Sequence, residues 1–192
     1  MTENEYIRGL KLGDETVFRE FVDTYQPSLL RLCMGFLHDE EDAKDIVQDV
    51  FVEVFQSVGR FREEASLSTW LYRIAVNKSL NQIKKNRNRK LFTGINSVLQ
   101  VKREAVVDIA DESMGSDKRI EKAERAKAIR KTIGQLPENQ RIAFVLSKYQ
   151  DLSYSDIAGV MGISLLAVES LIHRAKLGLQ RKLFKLYKKN LI

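Results

Sequence analysis

Cysteine is nearly absent from this chain: Cys33 stands alone, so no internal disulfide can form. With only His38 and His173 beside it, it makes a poor set of metal ligands, and no cofactor is expected. Two prolines and ten glycines are too few to punctuate the many turns of a sandwich or barrel. Long apolar runs are missing as well. The uncharged stretch from Ile157 to Val168 covers 12 residues, short of the roughly 20 needed to cross a bilayer. The start, Met1-Thr2-Glu3-Asn4-Glu5, has neither the basic opening nor the apolar run of a signal peptide. The expectation is a cytoplasmic protein in a reducing compartment, neither secreted nor membrane-spanning.

What the chain does have is the balance of a folded globular protein, 44% hydrophobic and 30% charged over 192 residues. The net charge of +6 suits a polyanionic partner without naming one. Its distribution says more. Asp39 to Glu53 hold seven acids against the single Lys44, Asn77 to Lys90 hold six bases and no acid, and Ser170 onward holds seven bases and no acid. Any one run alone reads as a solvated helix face. One acidic and two basic blocks together point to separate surfaces for a protein partner and for nucleic acid.

Helical periodicity runs through nearly the whole chain. Phe18, Phe21, Val22 and Tyr25 share one helix face, Pro27 breaks or kinks the pattern, and Leu29, Leu30, Leu32, Cys33, Phe36 and Leu37 resume it. Ile46/Val47, Val50/Phe51 and Val54/Phe55 recur every four residues, leaving Asp42, Asp45, Gln48, Asp49 and Glu53 mainly outside. A further helix begins near Ser68 or Thr69 and buries Leu71, Ile74, Ala75 and Ile83 before a basic end that suits its dipole. The pattern fades after Lys90 and returns at Asp117, with Ile120, Ala123, Ile129 and Ile133, and then Ile142, Val145, Leu146 and Tyr149. The expected fold is all-α: two helical domains, 1–92 and 117–192, joined by a flexible linker over 93–116.

The sharpest local signal lies between Leu152 and Leu183. Ser153 can cap a short helix, Gly162 supplies a tight turn, and Ser164 can cap a longer helix that buries Val168, Leu171, Ile172, Ala175, Leu179 and Leu183. Helix, glycine turn and helix make a helix-turn-helix, whose second helix usually enters the major groove. Glu169, Ser170, His173, Arg174 and Lys176 stand on the other face, able to meet bases or phosphates.

Several stretches now resemble one family. Asp42-Ala43-Lys44-Asp45-Ile46-Val47-Gln48-Asp49-Val50-Phe51 and Ser68-Thr69-Trp70-Leu71-Tyr72-Arg73-Ile74-Ala75 resemble the first domain of extracytoplasmic-function (ECF) sigma factors of the sigma-70 family. Leu136-Pro137-Glu138-Asn139-Gln140-Arg141, Leu152-Ser153-Tyr154-Ser155-Asp156-Ile157-Ala158 and His173-Arg174-Ala175-Lys176 resemble their second promoter-binding domain. They occur in family order. The resemblance implies a bacterial transcription-initiation subunit that joins core RNA polymerase, recognises two promoter elements and helps open the DNA. It also implies an anti-sigma factor, of a membrane-associated kind, as a regulatory partner, and no small-molecule substrate.

The same resemblance places core-polymerase contacts on Asp42, Asp45, Gln48 and Asp49. It assigns the segment from Phe61 to Trp70, including Arg62, Ser66 and Thr69, to reading the upstream-of-start element as single strand, with the loop from Arg62 to Leu67 choosing a flipped base. Flipped bases need polar pockets, and their neighbours need flat rings or a cationic track. Trp70 and Tyr72 can supply rings, although Trp70 fits core packing equally well. Asn77, Lys78, Asn81, Lys84 and Lys85 can track phosphates. In the helix-turn-helix, Ser164 opens the recognition helix, and Leu165 and Leu166 in its first turn either touch a thymine methyl or simply pack. Glu169 stands where many relatives carry a base, and a carboxylate there can accept from cytosine N4.

Three other classes compete with this reading. An enzyme would need a phosphate-cradling glycine loop, a His-Glu-x-x-His helix or a partnered nucleophile, none of which occurs, so no catalysis is expected. An ordinary helix-turn-helix regulator would leave Asp42 to Lys90 without a role. A purely protein-binding adaptor would direct no promoter-specific transcription.

Overall fold

The computed structural model describes residues 1–93, 116–150 and 152–188. Among these, all regular structure is helical: α1 (Glu3–Lys11), α2 (Glu15–Leu37), α3 (Glu40–Ser57), a short 3-10 turn at Val58–Arg60, α4 (Leu67–Thr93), α5 (Ser116–Gly134), α6 (Glu138–Tyr149), α7 (Tyr154–Met161) and α8 (Leu165–Lys188). The all-α expectation holds. The expected linker falls outside the described residues except for its first and last positions.

Side-chain caps start several of the helices. Thr2 and Glu5 form a reciprocal capping box on α1. Asp14 accepts from the Thr16 and Val17 amides at 2.9 and 3.2 Å, and Asp39 accepts from the Asp42 amide at 2.9 Å. One boundary expectation is corrected. Helix α4 starts at Leu67, not at Ser68 or Thr69, because the Ser66 hydroxyl takes the capping role and accepts from the Thr69 amide at 3.1 Å. Of the two outcomes expected at Pro27, the break is excluded, since α2 continues through it. The Ser28 hydroxyl donates to the Tyr25 carbonyl at 2.8 Å, beside the site of the missing proline donor.

Helices α2, α3 and α4 pack on one another around Phe21, Leu29, Leu32, Val50, Val54, Leu67 and Leu71, all fully buried. Each such side chain contributes about 1.5–3 kcal/mol by leaving water. Phe55 departs from the expected inward stripe: it is 57% exposed, its ring edge-on to Phe18 at 5.4 Å. Cys33 lies in this core, where burial pushes its thiol up to about 11 and the Ser79 hydroxyl, 3.6 Å away, partly opposes the shift.

In the C-terminal half, α8 packs against α5, α6 and α7. Val168, Ile172, Ala175 and Leu179 are buried as expected, while Leu171 and Leu183 are half-buried. The halves also meet, α2 against α6 and α4 against α7. They come close together at Gly35, where a Cβ atom would stand 2.8 Å from the Val145 side chain. Arg73 donates to the Gly159 and Val160 carbonyls at 2.5 and 3.3 Å, and Gln150 donates to the Ser28 carbonyl at 2.8 Å.

Ser153→Ala tests the capping account. The Ser153 hydroxyl accepts from the Asp156 amide at 3.1 Å, so its loss is expected to cost about 0.5–2 kcal/mol. The check is the urea midpoint followed by helical circular dichroism. An unchanged midpoint would show that α7 is held by packing alone.

Candidate nucleic-acid interface

The helix-turn-helix has the geometry expected of one. Helices α7 and α8 are bent by 102° across the turn, within the ordinary range for the motif. Gly162 sits at φ +65°, a left-handed conformation that a side chain would strain. Ser164 accepts from the Ala167 amide at 3.3 Å and so starts α8. Leu165 and Leu166 are 49% and 75% exposed, so the packing alternative does not hold for either.

At about 100° per residue, the buried stripe of α8 lies opposite Leu166, Ser170, His173 and Arg174. Arg174 is held there by Ser170, whose hydroxyl accepts from its guanidinium at 2.6 and 3.3 Å. Glu169 and Lys176 are both exposed and project about 20° apart on one flank. Glu169 thus keeps company with Lys176 rather than with Arg174.

Helix α4 carries the second surface. The loop before it opens at Phe61, whose half-buried ring stacks on the half-buried Trp70 ring in the first turn of α4 at 4.8 Å and 30°. Arg62 is exposed, Ser66 is half-buried under its capping role, and Thr69 is buried against the position a Gly159 Cβ would take, at 3.3 Å. Tyr72 is only 8% exposed, so its ring is a core element and not a stacking platform. Trp70, Asn77, Asn81 and Lys84 fall within about 60° on the helix. Lys78 and Lys85 lie to one side of that stripe: Lys78 pairs with Glu53 of α3 at 2.8 Å, and Lys85 lines the groove beside Asp42, Asp45 and Asp49. Both corrections have one cause, since α3 packs along that side of α4 and draws the two lysines toward its acids.

Sequence reasoning missed Arg73, which shares the stripe of Trp70 and Asn77. Its helical position was the available signal; its backbone partners in α7 lie too far along the chain to be read.

On α3, Asp45, Gln48 and Asp49 are exposed in a row. Asp42 is different. It is half-buried and accepts from Gln82 at 3.4 Å and Asn86 at 3.1 Å, so its carboxylate ties α3 to α4.

Comparison with known proteins agrees with this arrangement. The family model for sigma-70 region 2 matches residues 21–89, and that for sigma-70 region 4 matches residues 126–179. The RNA polymerase sigma-H factor of Pseudomonas aeruginosa is 31% identical over 94% of this chain and 93% of its own length. The ECF RNA polymerase sigma factor SigW of Bacillus subtilis is 28% identical over 92% of this chain and 94% of its own. Among solved structures, CnrH in complex with the cytosolic domain of CnrY has TM-score 0.68 at 24% identity, covering 95% of this chain and 97% of its own. The sigma factor RpoE of Bartonella quintana, solved with the anti-sigma factor NepR, has TM-score 0.62 at 22% identity, covering 86% and 96%.

The helix-turn-helix and the ring-and-amide stripe therefore belong to a transcription-initiation factor. The chain is a member of the sigma-70 family, in its ECF group.

Proposed function

We propose that this sigma factor binds core RNA polymerase through Asp45, Gln48 and Asp49, directs it to promoters with two elements, and promotes opening of the DNA. In this reading residues 1–92 bind polymerase and hold the upstream-of-start element as single strand, using Phe61, Arg62, Ser66, Trp70, Asn77, Asn81 and Lys84. Residues 117–192 read the distal element as duplex through Leu165, Leu166, Ser170, His173 and Arg174, with Ser164 starting the helix and Glu169 and Lys176 at its flank. Residues 93–116 are the tether. The work is binding, with no catalytic step of the chain's own and no cofactor, and it takes place in the cytoplasm. An anti-sigma factor is the third partner, as CnrH and RpoE have bound partners in their solved complexes.

The observation that carries the reading is the co-existence in one chain of three separate surfaces: an acidic row on α3, a ring-and-amide stripe on α4, and a solvent-facing recognition helix on α8. A helix-turn-helix regulator needs only the last. The test is permanganate footprinting of supercoiled genomic fragments. Thymines just upstream of the start should become reactive only with chain and core polymerase together. Tight duplex binding by the chain alone, with no reactive thymines under any condition, would favour the regulator instead.

A further inference from the structure

Helix α1 precedes the segment that matches the region 2 family model, yet it grips the base-selecting loop at both ends. Near the loop's start, Lys11 pairs with Glu63 at 2.8 Å. Glu63 sits at φ +58°, a left-handed conformation rare for a residue with a side chain, so its backbone needs a neighbour to hold it. At the loop's end, the Glu3 carboxylate accepts from the amide of Leu67, the first residue of α4. That amide is one of the donors a helix start leaves unpaired, and a carboxylate there suits the dipole. Glu3 and Lys11 are eight residues apart, about 12 Å along a helix, so one short rod sets the spacing of both grips.

The rod itself is fixed. Tyr6, Ile7 and Leu10 are buried, and the Tyr6 hydroxyl lies 3.0 Å from the Thr24 hydroxyl and 3.3 Å from Glu20, both on α2. Leu67, at the far end of the loop, is fully buried. The loop between the two grips is therefore held on a rigid frame while Arg62 and Glu64 remain exposed.

We propose that α1 determines base selectivity at the upstream-of-start element, with Lys11 and Glu3 as positioning residues that fix the conformation of the loop from Phe61 to Ser66. The proposal rests on the reading of that loop as the single-strand reader. Neither residue touches DNA in it; they act through Glu63 and Leu67.

The experiment uses holoenzyme formed from the full chain and core polymerase, with a promoter library randomised over the upstream-of-start element. Lys11→Glu and Glu63→Lys should each lower the ratio of preferred to next-best base by about fivefold, the upper range for a surface ion pair. The double exchange should return the ratio to within about twofold of the parent, because the pair is restored with its sign reversed. Glu3→Ala should move the ratio in the same direction as the single exchanges. Core affinity should stay at the parent's value, and the unfolding midpoint should fall by no more than a lost surface ion pair or helix cap accounts for. Single variants with the parental ratio, or a double exchange that restores nothing, would overturn the proposal. So would a loss of selectivity that only follows a larger fall in the unfolding midpoint. Arg62→Ala with Ser66→Ala serves as the separate arm. If that variant shifts base preference while Lys11→Glu and Glu63→Lys do not, the loop reading stands and the role of α1 falls. If it leaves preference unchanged, the loop reading falls and takes the proposal with it.

Discussion

Replacing Asp45 and Asp49 together by lysine is expected to weaken core-polymerase binding by about two orders of magnitude, roughly 3 kcal/mol. Both carboxylates are exposed on α3, and among the described residues neither takes part in a hydrogen bond or ion pair. Their reversal opens no cavity in the Ile46, Val50 and Val54 core beneath them, so helical content should not change. The loss comes from like charges brought face to face at the interface. Asp45→Asn with Asp49→Asn should lose less, because it removes attraction without adding repulsion. Asp42→Asn should behave differently from both. Its carboxylate is occupied by Gln82 and Asn86, so its effect should appear first in the unfolding midpoint. Competition against the parent chain for core polymerase measures the two double variants, and urea unfolding measures Asp42→Asn. Equal affinity for the double reversal would move the interface off this face.

Arg174→Ala is expected to cost about 1–3 kcal/mol on the preferred promoter and to relax selectivity at one position of the distal element. The guanidinium is exposed opposite the buried stripe of α8 and is held by Ser170, so on the proposed reading it would enter the groove already oriented. A preorganised fork that reads two acceptors on one base loses both contacts when truncated. Lys176→Ala should instead weaken all promoters about equally and reduce the log–log salt slope by roughly one unit, the signature of a lost phosphate contact. The two residues project about 160° apart, which is why one variant can report base reading and the other backbone attraction. Transcription from several promoters over a range of salt separates them. If Arg174→Ala lowers every promoter alike, base reading shifts to the exposed Leu165–Leu166 turn.

The helix-turn-helix was legible because its signals are short-range. Ser153, Gly162 and Ser164 act on amides or turns within a few residues of themselves, and the apolar spacing of Val168, Ile172, Ala175 and Leu179 is a property of one helix. The acidic row on α3 was legible for the same reason. What escaped reading depends on contacts across the chain. Asp42 looks like Asp45 in sequence, yet the amides that engage it come from α4, about 40 residues on. Tyr72 looks like a ring beside Trp70, but the packing of α2 and α3 on α4 buries it. Phe55 fits the inward period of α3, yet it lies at the rim of the helix pair, meets the Phe18 ring of α2 only edge-on and stands exposed. Arg73 and Lys11 reveal their partners only once α7 and the loop at Glu63 are placed in space.

The most direct test of the whole account is transcription by core polymerase with and without this chain on a pool of genomic fragments from the source bacterium. The account predicts new start sites only when the chain is present, sharing two sequence elements at a fixed separation. An absence of stable binding to core polymerase at low salt, together with no chain-dependent start sites, would contradict it.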